Sequence, residues 1–286
     1  AHTEPCRLVN RRVCHTVNDS MHKPILNQTP RTPLQVLRDV TFGLLIRELK
    51  TRFGSYRLGY AWALIDPLLM ISAFSLIFGL RNHSGFGGVP APLFITAGYL
   101  PFLFFKNVVS KLQSAVGANM GLFCYRQVTP FATFVARFIL EVMVGMMVGI
   151  ILVLGLLWFG FDAIPADPLK VILIYLLLMV FSFSLGIVFC VICNLFQEAD
   201  KFLNLLMMPL MFVSCVMYPL ISIPSQYQHW FLWNPLVHAL ELIRNGWIAG
   251  YNSHNVSAAY LSGVTLLLLT FAMSCYRLSH RRLIAS

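Results

Sequence analysis

Apolar residues gather along this chain into runs too long for the buried faces of a soluble fold. Five of them, residues 61–80, 142–161, 171–196, 202–223 and 256–276, are long enough to cross a hydrocarbon core about 30 Å thick, and Asp66 is the single charge among them. A sixth run, residues 92–117, is interrupted by Lys106 and Lys111 and needs an independent test. Projected at about 100° per residue, it puts Tyr99, Phe102, Lys106, Ser110, Gln113 and Gly117 on one face. Leu100, Phe104, Val108, Leu112 and Ala115 lie opposite. One face suits water or sugar, the other lipid or protein. Ahead of these runs, residues 33–53 group Phe42, Leu45, Ile46, Leu49 and Phe53 on one side of a helix, away from Arg47, Lys50 and Arg52. That pattern predicts a helix lying in a membrane interface, with a helix packed on another subunit as the alternative.

Basic residues supply the test for the sixth run, because cytoplasmic flanks collect Lys and Arg. With six crossings, one side holds the ten basic residues among residues 7–57 together with Lys111, Arg126, Arg137, Lys201, Arg277, Arg281 and Arg282. The other side holds only Arg81, Lys170 and Arg244. Six spans with both termini cytoplasmic is the topology this predicts. Residues 1–32 are polar, contain no apolar core of a signal peptide, and are expected to form a disordered cytosolic tail. The turn at residues 197–201 is short, whereas residues 218–255 make a long excursion on the outer side. There Pro219, Pro224, Tyr227, Trp230, Phe231 and Trp233 precede Asn234-Pro235, which reads as an N-cap followed by proline at the first helical position. Two short outer helices are expected, dipping back into the membrane or forming an aromatic belt.

Composition narrows the class. The chain is 58% hydrophobic and 11% charged, with mean hydropathy +0.73, which belongs to a single integral membrane domain. Its net charge of +10 sits beside apolar runs, so topology and anionic lipid account for it and nucleic acid is not a partner. Seven cysteines, with Cys124, Cys190, Cys193 and Cys275 in or next to apolar runs, imply neither a disulfide framework nor a metal site. No nucleophile, HExxH or clustered acidic constellation emerges, so no catalytic residue is assigned. None of the six lysines follows the glycines of a phosphate-binding loop. If nucleotide energises this protein, a separate subunit hydrolyses it.

Within the sixth run, Lys106 lies about 11 residues, or roughly 16 Å, from residue 117. An ammonium at such depth costs roughly 2.5–3.5 kcal/mol on insertion scales, which makes it a functional candidate by default. Beside Tyr99, Phe102 and Ser110 it suits an aqueous path for sugars, above all anionic ones; snorkelling of its flexible stem is the alternative. Asp66 is expected to pair with Lys111 or Arg126, and Arg137 with Glu141 at i,i+4. Gly145 and Gly149 form a small-xxx-small pattern that favours close helix packing, and His229 and His238 read as interfacial residues.

These residues carry a family likeness. Arg47-Glu48-Leu49-Lys50-Thr51-Arg52-Phe53-Gly54, with Leu58-Gly59-Tyr60-Ala61-Trp62 and Asp66-Pro67, resembles the N-terminal motif of ABC-2 type exporter permeases. Asn119-Met120-Gly121-Leu122-Phe123-Cys124-Tyr125-Arg126 and Ser222-Ile223-Pro224-Ser225-Gln226-Tyr227, with Trp233-Asn234-Pro235-Leu236-Val237-His238, are similar to the capsular polysaccharide branch of that family. The likeness covers residues 33–286; Cys124 and Asp66 depart from it, where Asn and Glu would be expected.

The resemblance implies an all-α polytopic membrane domain over residues 33–286, with an N-terminal interface helix, a cytoplasmic coupling helix and outer re-entrant helices between spans five and six. It implies a homodimer working with two cytosolic ABC ATPase subunits, which bind ATP and Mg while this chain binds no cofactor. It implies a lipid-linked capsular polysaccharide as cargo, with periplasmic adaptor and outer-membrane export proteins beyond a bacterial inner membrane. Gly121, Leu122, Phe123, Tyr125 and Arg126 correspond to the coupling segment that docks on the ATPase. Pro224, Tyr227, Trp230, Asn234, Pro235, Glu241 and Arg244 fall in the re-entrant gate, and Tyr218 and Trp233 near the outer mouth of the path. The competing readings are a permease for O-antigen, teichoic acid or a small hydrophobic molecule, a membrane-embedded transferase and a structural scaffold.

Overall fold

A computed structural model of the chain describes residues 33–53, 59–81, 88–123, 128–196, 198–253 and 255–285. The expected cytosolic tail, and Tyr125 and Arg126 of the coupling segment, lie outside these residues. Nine α-helices are found among them: α1 Pro33–Phe53, α2 Gly59–Arg81, α3 Ala91–Gln113, α4 Pro130–Trp158, α5 Pro168–Leu195, α6 Ala199–Val213, α7 Ser225–Phe231, α8 Pro235–Trp247 and α9 Ala258–Ala285. Two 3-10 helices, Gly117–Leu122 and Leu220–Ser222, join α3 to α4 and α6 to α7. Proline opens α4, α5 and α8 at the first helical positions, where its missing N–H leaves nothing unsatisfied. Ahead of α4, Thr129 Oγ1 accepts from the N–H of Ala132 and caps the helix.

α3 is the centre of the molecule. It packs against α2, α4, α5 and α8, while α9 lies along α5. Phe94, Ile95, Phe105, Val108, Val109 and Leu112 on α3 are wholly buried. The α3–α5 contact depends on Gly186, where an added Cβ would stand 2.7 Å from Leu112 Cβ. Such a contact cannot be relieved by rotating a side chain.

Among the described residues, four helices are long and apolar enough to cross a membrane: Ala91–Gln113, Pro130–Trp158, Pro168–Leu195 and Ala258–Ser279. Residues Leu64–Phe78 of α2 form a shorter apolar helix. The interrupted run therefore does form one continuous helix. The apolar run at 202–223 does not: α6 ends at Val213 after 15 residues, about 22 Å. Ser214 and Cys215 turn the chain back with N–H bonds to Leu210 and Phe212, and Cys215 adopts φ 55°, a left-handed conformation uncommon outside glycine. α4 also begins well before the apolar run at 142, because its first turns carry Arg137 and Glu141 into protein contacts.

The α1 pattern is redistributed. Leu44 is buried and Leu45 and Leu49 pack on the core, whereas Phe42 and Ile46 remain exposed. The charged side of the helix is engaged as well.

Candidate functional site

Two polar constructions stand at opposite ends of the bundle. The first joins α1 to the α3–α4 connection. Glu48 accepts from Arg137 Nε at 2.9 Å and from Asn119 Nδ2 at 3.3 Å, and Arg47 donates to Asn119 Oδ1 at 2.7 Å. Asn119 is 2% exposed, so its carboxamide is held by α1 on one side and by the Ala115 carbonyl on the other. Arg137 also donates to the Lys111 carbonyl at 2.8 Å and to Ser114 Oγ at 3.1 Å. Arg52 pairs with Glu141.

Arg137 and Glu141 thus do not pair with each other. Glu48 and Arg52 have the same four-residue spacing with the signs reversed, and the two helices exchange partners across their contact. Asp66 likewise makes no ion pair with Lys111; among the described residues it joins none, and Arg126 lies outside them. Gln113, buried, donates to Asp200 Oδ1 at 2.7 Å and so ties the end of α3 to the start of α6. Of the coupling segment, Gly121 and Leu122 belong to the 3-10 helix, and Phe123 packs on a second apolar cluster around Val116 and Phe134.

The second construction surrounds Arg244, which is fully buried on α8. Its Nη1 donates to the Cys215 carbonyl at 2.9 Å, to the Tyr218 carbonyl at 3.4 Å and to Glu241 Oε1 at 3.1 Å, and its Nη2 donates to the Val216 carbonyl. The guanidinium lies 4.1 Å from the Phe94 ring centroid. Glu241 also accepts from Leu220 N at 3.2 Å and from the Tyr251 hydroxyl at 2.7 Å. That bond, with burial as the larger cause, pushes the Tyr251 phenol up.

One arginine therefore receives the carbonyls freed where α6 stops, which is what allows backbone to turn inside a desolvated core. The approach is possible because position 98 is glycine. A Cβ there would stand 2.6 Å from the Val216 carbonyl oxygen and strike the Arg244 guanidinium.

The neighbouring joints have equally specific chemistry. Asn234 caps Leu236 N at 3.0 Å and donates to Ser214 Oγ at 3.0 Å, linking the start of α8 to the end of α6. His238 Nδ1 accepts from Ser257 N at 3.0 Å, so its Nε2 carries the proton donated to the Leu232 carbonyl at 2.8 Å. Both roles require neutral imidazole, and burial lowers the pKa accordingly. Pro224 precedes α7 and Pro235 opens α8. Tyr227, Trp230 and Trp233 are exposed and stand apart from the Arg244 cluster. Tyr218 is half-buried, its hydroxyl donating to the Phe212 carbonyl at 2.7 Å.

The projected stripe on α3 splits in two. Tyr99 and Phe102 are 4% and 2% exposed within the core of a single chain, because helices surround that half of α3 on every side. Lys106 is exposed, and Ser110 makes a long contact of 3.4 Å with Asn204 Oδ1 on α6. Asn204 was not singled out by the sequence pattern; it is a lone amide in an apolar run. Asn119, Asp200 and Tyr251 were also missed as partners. Among the described residues, no group of three or more His, Cys, Asp or Glu side chains could hold a metal ion.

The model of a family described as ABC-2 type transporter matches residues 40–248. The chain belongs to the ABC-2 type transporter family. This permease is 37% identical over 257 residues, 90% of its length and 99% of the relative's, to the polysialic acid transport protein KpsM of Escherichia coli. It is 26% identical to the capsule polysaccharide export inner-membrane protein CtrC of Neisseria meningitidis serogroup A, over 84% of its own length and 91% of the relative's. An O-antigen export system permease protein, RfbA of Klebsiella pneumoniae, is 24% identical over 82% of this chain and 90% of its own. The matched span of the permease includes both the Glu48–Arg137 cluster and the Arg244 turn.

Proposed function

We propose that this chain is the membrane subunit of an ATP-driven exporter that moves lipid-linked capsular polysaccharide across a bacterial inner membrane. The observation that carries the reading is the 37% identity to a polysialic acid transport protein along 99% of that relative. The exporter contains two copies of the chain and two cytosolic ATPase subunits, which supply ATP and Mg chemistry. Each copy crosses the membrane six times with both termini in the cytoplasm, α2 and α6 completing the set begun by the four long apolar helices. Periplasmic adaptor and outer-membrane proteins receive the polymer.

The geometry supports a division of labour. At the α1 end, nucleotide-driven movement of the ATPase reaches Gly121 to Phe123, and with Tyr125 and Arg126 this forms the docking surface. Asn119 is fixed to Arg47 and Glu48, and Glu48 to Arg137, so displacement of the coupling segment carries α1 and α4 with it. A polar clasp between rigid helices transmits displacement where a flexible loop absorbs it. The cargo passes between copies along Lys106, Ser110 and Asn204, where the exposed ammonium favours acidic sugars. At the α8 end, the Arg244 turn makes the outer gate, with Trp233, Trp230 and Tyr227 at the mouth. Tyr99 and Phe102 support this path from behind. The apolar faces of α2 and α6 that one chain leaves uncovered, including Leu69, Leu76, Leu205 and Met208, meet lipid or the second copy.

Export of capsule in cells whose own copy is replaced by Lys106→Met is expected to fall severalfold at normal chain levels; unchanged export removes Lys106 from the path. Photocrosslinking from position 123 is expected to capture the ATPase, and its failure overturns the docking assignment. O-antigen export is the second reading, favoured by the match to a permease of that system.

A further inference from the structure

α6 is secured differently at its two ends. At the outer end Ser214 and Cys215 close the helix with N–H bonds to the Leu210 and Phe212 carbonyls, and Asn234 Nδ2 donates to Ser214 Oγ at 3.0 Å. Just beyond, the carbonyls of Cys215, Val216 and Tyr218 are held by the fully buried Arg244. At the inner end α6 is tied to α3 by the side chains of Gln113 and Ser110. Gln113 Nε2 donates to Asp200 Oδ1 at 2.7 Å and to the Asp200 carbonyl at 3.3 Å. Ser110 Oγ makes the long contact of 3.4 Å with Asn204 Oδ1.

Between these ends the helix is weakened by its own sequence. Pro209 offers no N–H to the Leu205 carbonyl and its ring crowds that carbonyl, so α6 bends most readily there. Inward of Pro209, Leu203 and Met207 are buried against the bundle one turn apart, whereas Phe202, Leu205, Leu206 and Met208 are exposed. Residues 199–208 thus rest on the bundle along a single short line, and Met207 is a flexible side chain that re-packs when a neighbour shifts.

The inner tie is incomplete. Gln113 is 2% exposed, and among the described residues its Oε1 has no donor. A buried amide oxygen without a donor raises the free energy of the state that buries it. The shut position therefore carries a penalty that water or a sugar hydroxyl removes once Asp200 moves aside. Little movement is needed. Asp200 lies nine residues, or roughly 13 Å, from Pro209, so a bend of about 20° carries it roughly 5 Å away. That gap admits water between Gln113 and Asp200. Lys106, Ser110 and Gln113 stand at i, i+4 and i+7 on α3, so parting the two helices continues the polar stripe from Lys106 to the cytoplasmic end.

We infer that residues 199–208 are an inner gate leaf, pivoting on Pro209 and latched by Gln113 on Asp200, that parts from α3 to admit a hydroxyl-rich cargo. The hydroxyls of the cargo give Gln113 Oε1 the donor it lacks, while the outer end of α6 stays fixed beside Arg244. The inference rests on the transport reading above and adds to it the residues by which the path opens inward.

The test reads water access at position 110 in the full chain reconstituted with its ATPase partner and without cargo. Ser110→Cys is reacted with a charged maleimide, and peptide mass spectrometry separates its labelling from that of the native cysteines. Adding Asp200→Ala, at an exposed position, removes the latch and is expected to speed labelling severalfold. Adding Pro209→Ala as well restores the missing helical N–H and is expected to bring the rate back towards that of Ser110→Cys alone. Thermal unfolding of each variant establishes that it remains folded. A rate unchanged by Asp200→Ala, or one that Pro209→Ala does not lower, overturns the leaf. A second measurement holds the leaf shut. Ser110→Cys and Asn204→Cys joined by a short reducible bis-thiol reagent are expected to export at least severalfold less than the same variant unlinked, and to recover on reduction. Equal export by the linked and unlinked chains also overturns the leaf. Labelling is read without cargo, so failure of the leaf and failure of the cargo assignment are separate results.

Discussion

The two polar constructions of this permease contrast in how they tolerate burial. Around Arg244 a single guanidinium, 0% exposed, binds three backbone carbonyls and one carboxylate. Around Glu48, charge is shared among Arg47, Asn119 and Arg137, with the Arg52–Glu141 pair alongside, and Glu48 and Arg52 keep 19% and 23% side-chain exposure. The fully buried site has one arrangement, because removing a partner strands the rest without water. The partly exposed site can lose one bond at Glu48 or Arg52 and re-solvate. The first is therefore suited to holding a chain reversal, and the second to joining helices that shift during a transport cycle.

Breaking the buried site has the largest expected effect. Arg244→Met leaves Glu241 and the Cys215, Val216 and Tyr218 carbonyls without their donor and is expected to destabilise by about 3–5 kcal/mol, read by thermal unfolding in detergent. Adding Glu241→Gln to it is expected to recover part of that loss. Gly98→Ala comes next, at about 1–3 kcal/mol, since its Cβ meets the Val216 carbonyl oxygen and the Arg244 guanidinium, which its buried hydrogen bonds hold in place. At the partly exposed site Arg137→Ala is expected to cost about 1–3 kcal/mol. There the sharper reading is a double-mutant cycle with Glu48→Gln, for which additive effects would remove the cross-helix pair. Asn119→Ala is expected to cost about 1 kcal/mol in stability while uncoupling ATP hydrolysis from export, a split that a merely structural residue would not give.

The smallest effect is that of pH. Burial lowers the His238 pKa, so the unfolded chain binds the proton more readily. The stability contributed by neutral His238 is present above its unfolded pKa of about 6.5 and declines as pH falls below it, by at most about 1.4 kcal/mol per pH unit. His238→Gln is expected to flatten this component of an unfolding-versus-pH profile, and an unchanged slope would assign it elsewhere.

What the sequence made legible was local. Asn234-Pro235 announces a capped helix start, because cap chemistry involves residues two or three apart. The six lysines, lacking the glycines of a phosphate loop, keep that nucleotide-binding motif out of the chain. The non-local contacts were hidden. Arg137 and Glu141 read as a pair because helical spacing reveals only neighbours on the same helix, while their true partners are 89 residues away. Hydropathy carried residues 202–223 across as one span, since the stop at Cys215 depends on an arginine 29 positions further along. Projection gave Tyr99 and Phe102 the correct relative angle to Lys106 but could not say that other helices would cover them.

The central claim is that this permease moves capsular glycolipid under the drive of a partner ATPase. ATP hydrolysis by the two subunits together in proteoliposomes, with and without the capsular glycolipid, tests it most directly. Severalfold stimulation by that glycolipid, lost in Lys106→Met, is the predicted result. Stimulation by an O-antigen glycolipid and not by the capsular one would contradict it.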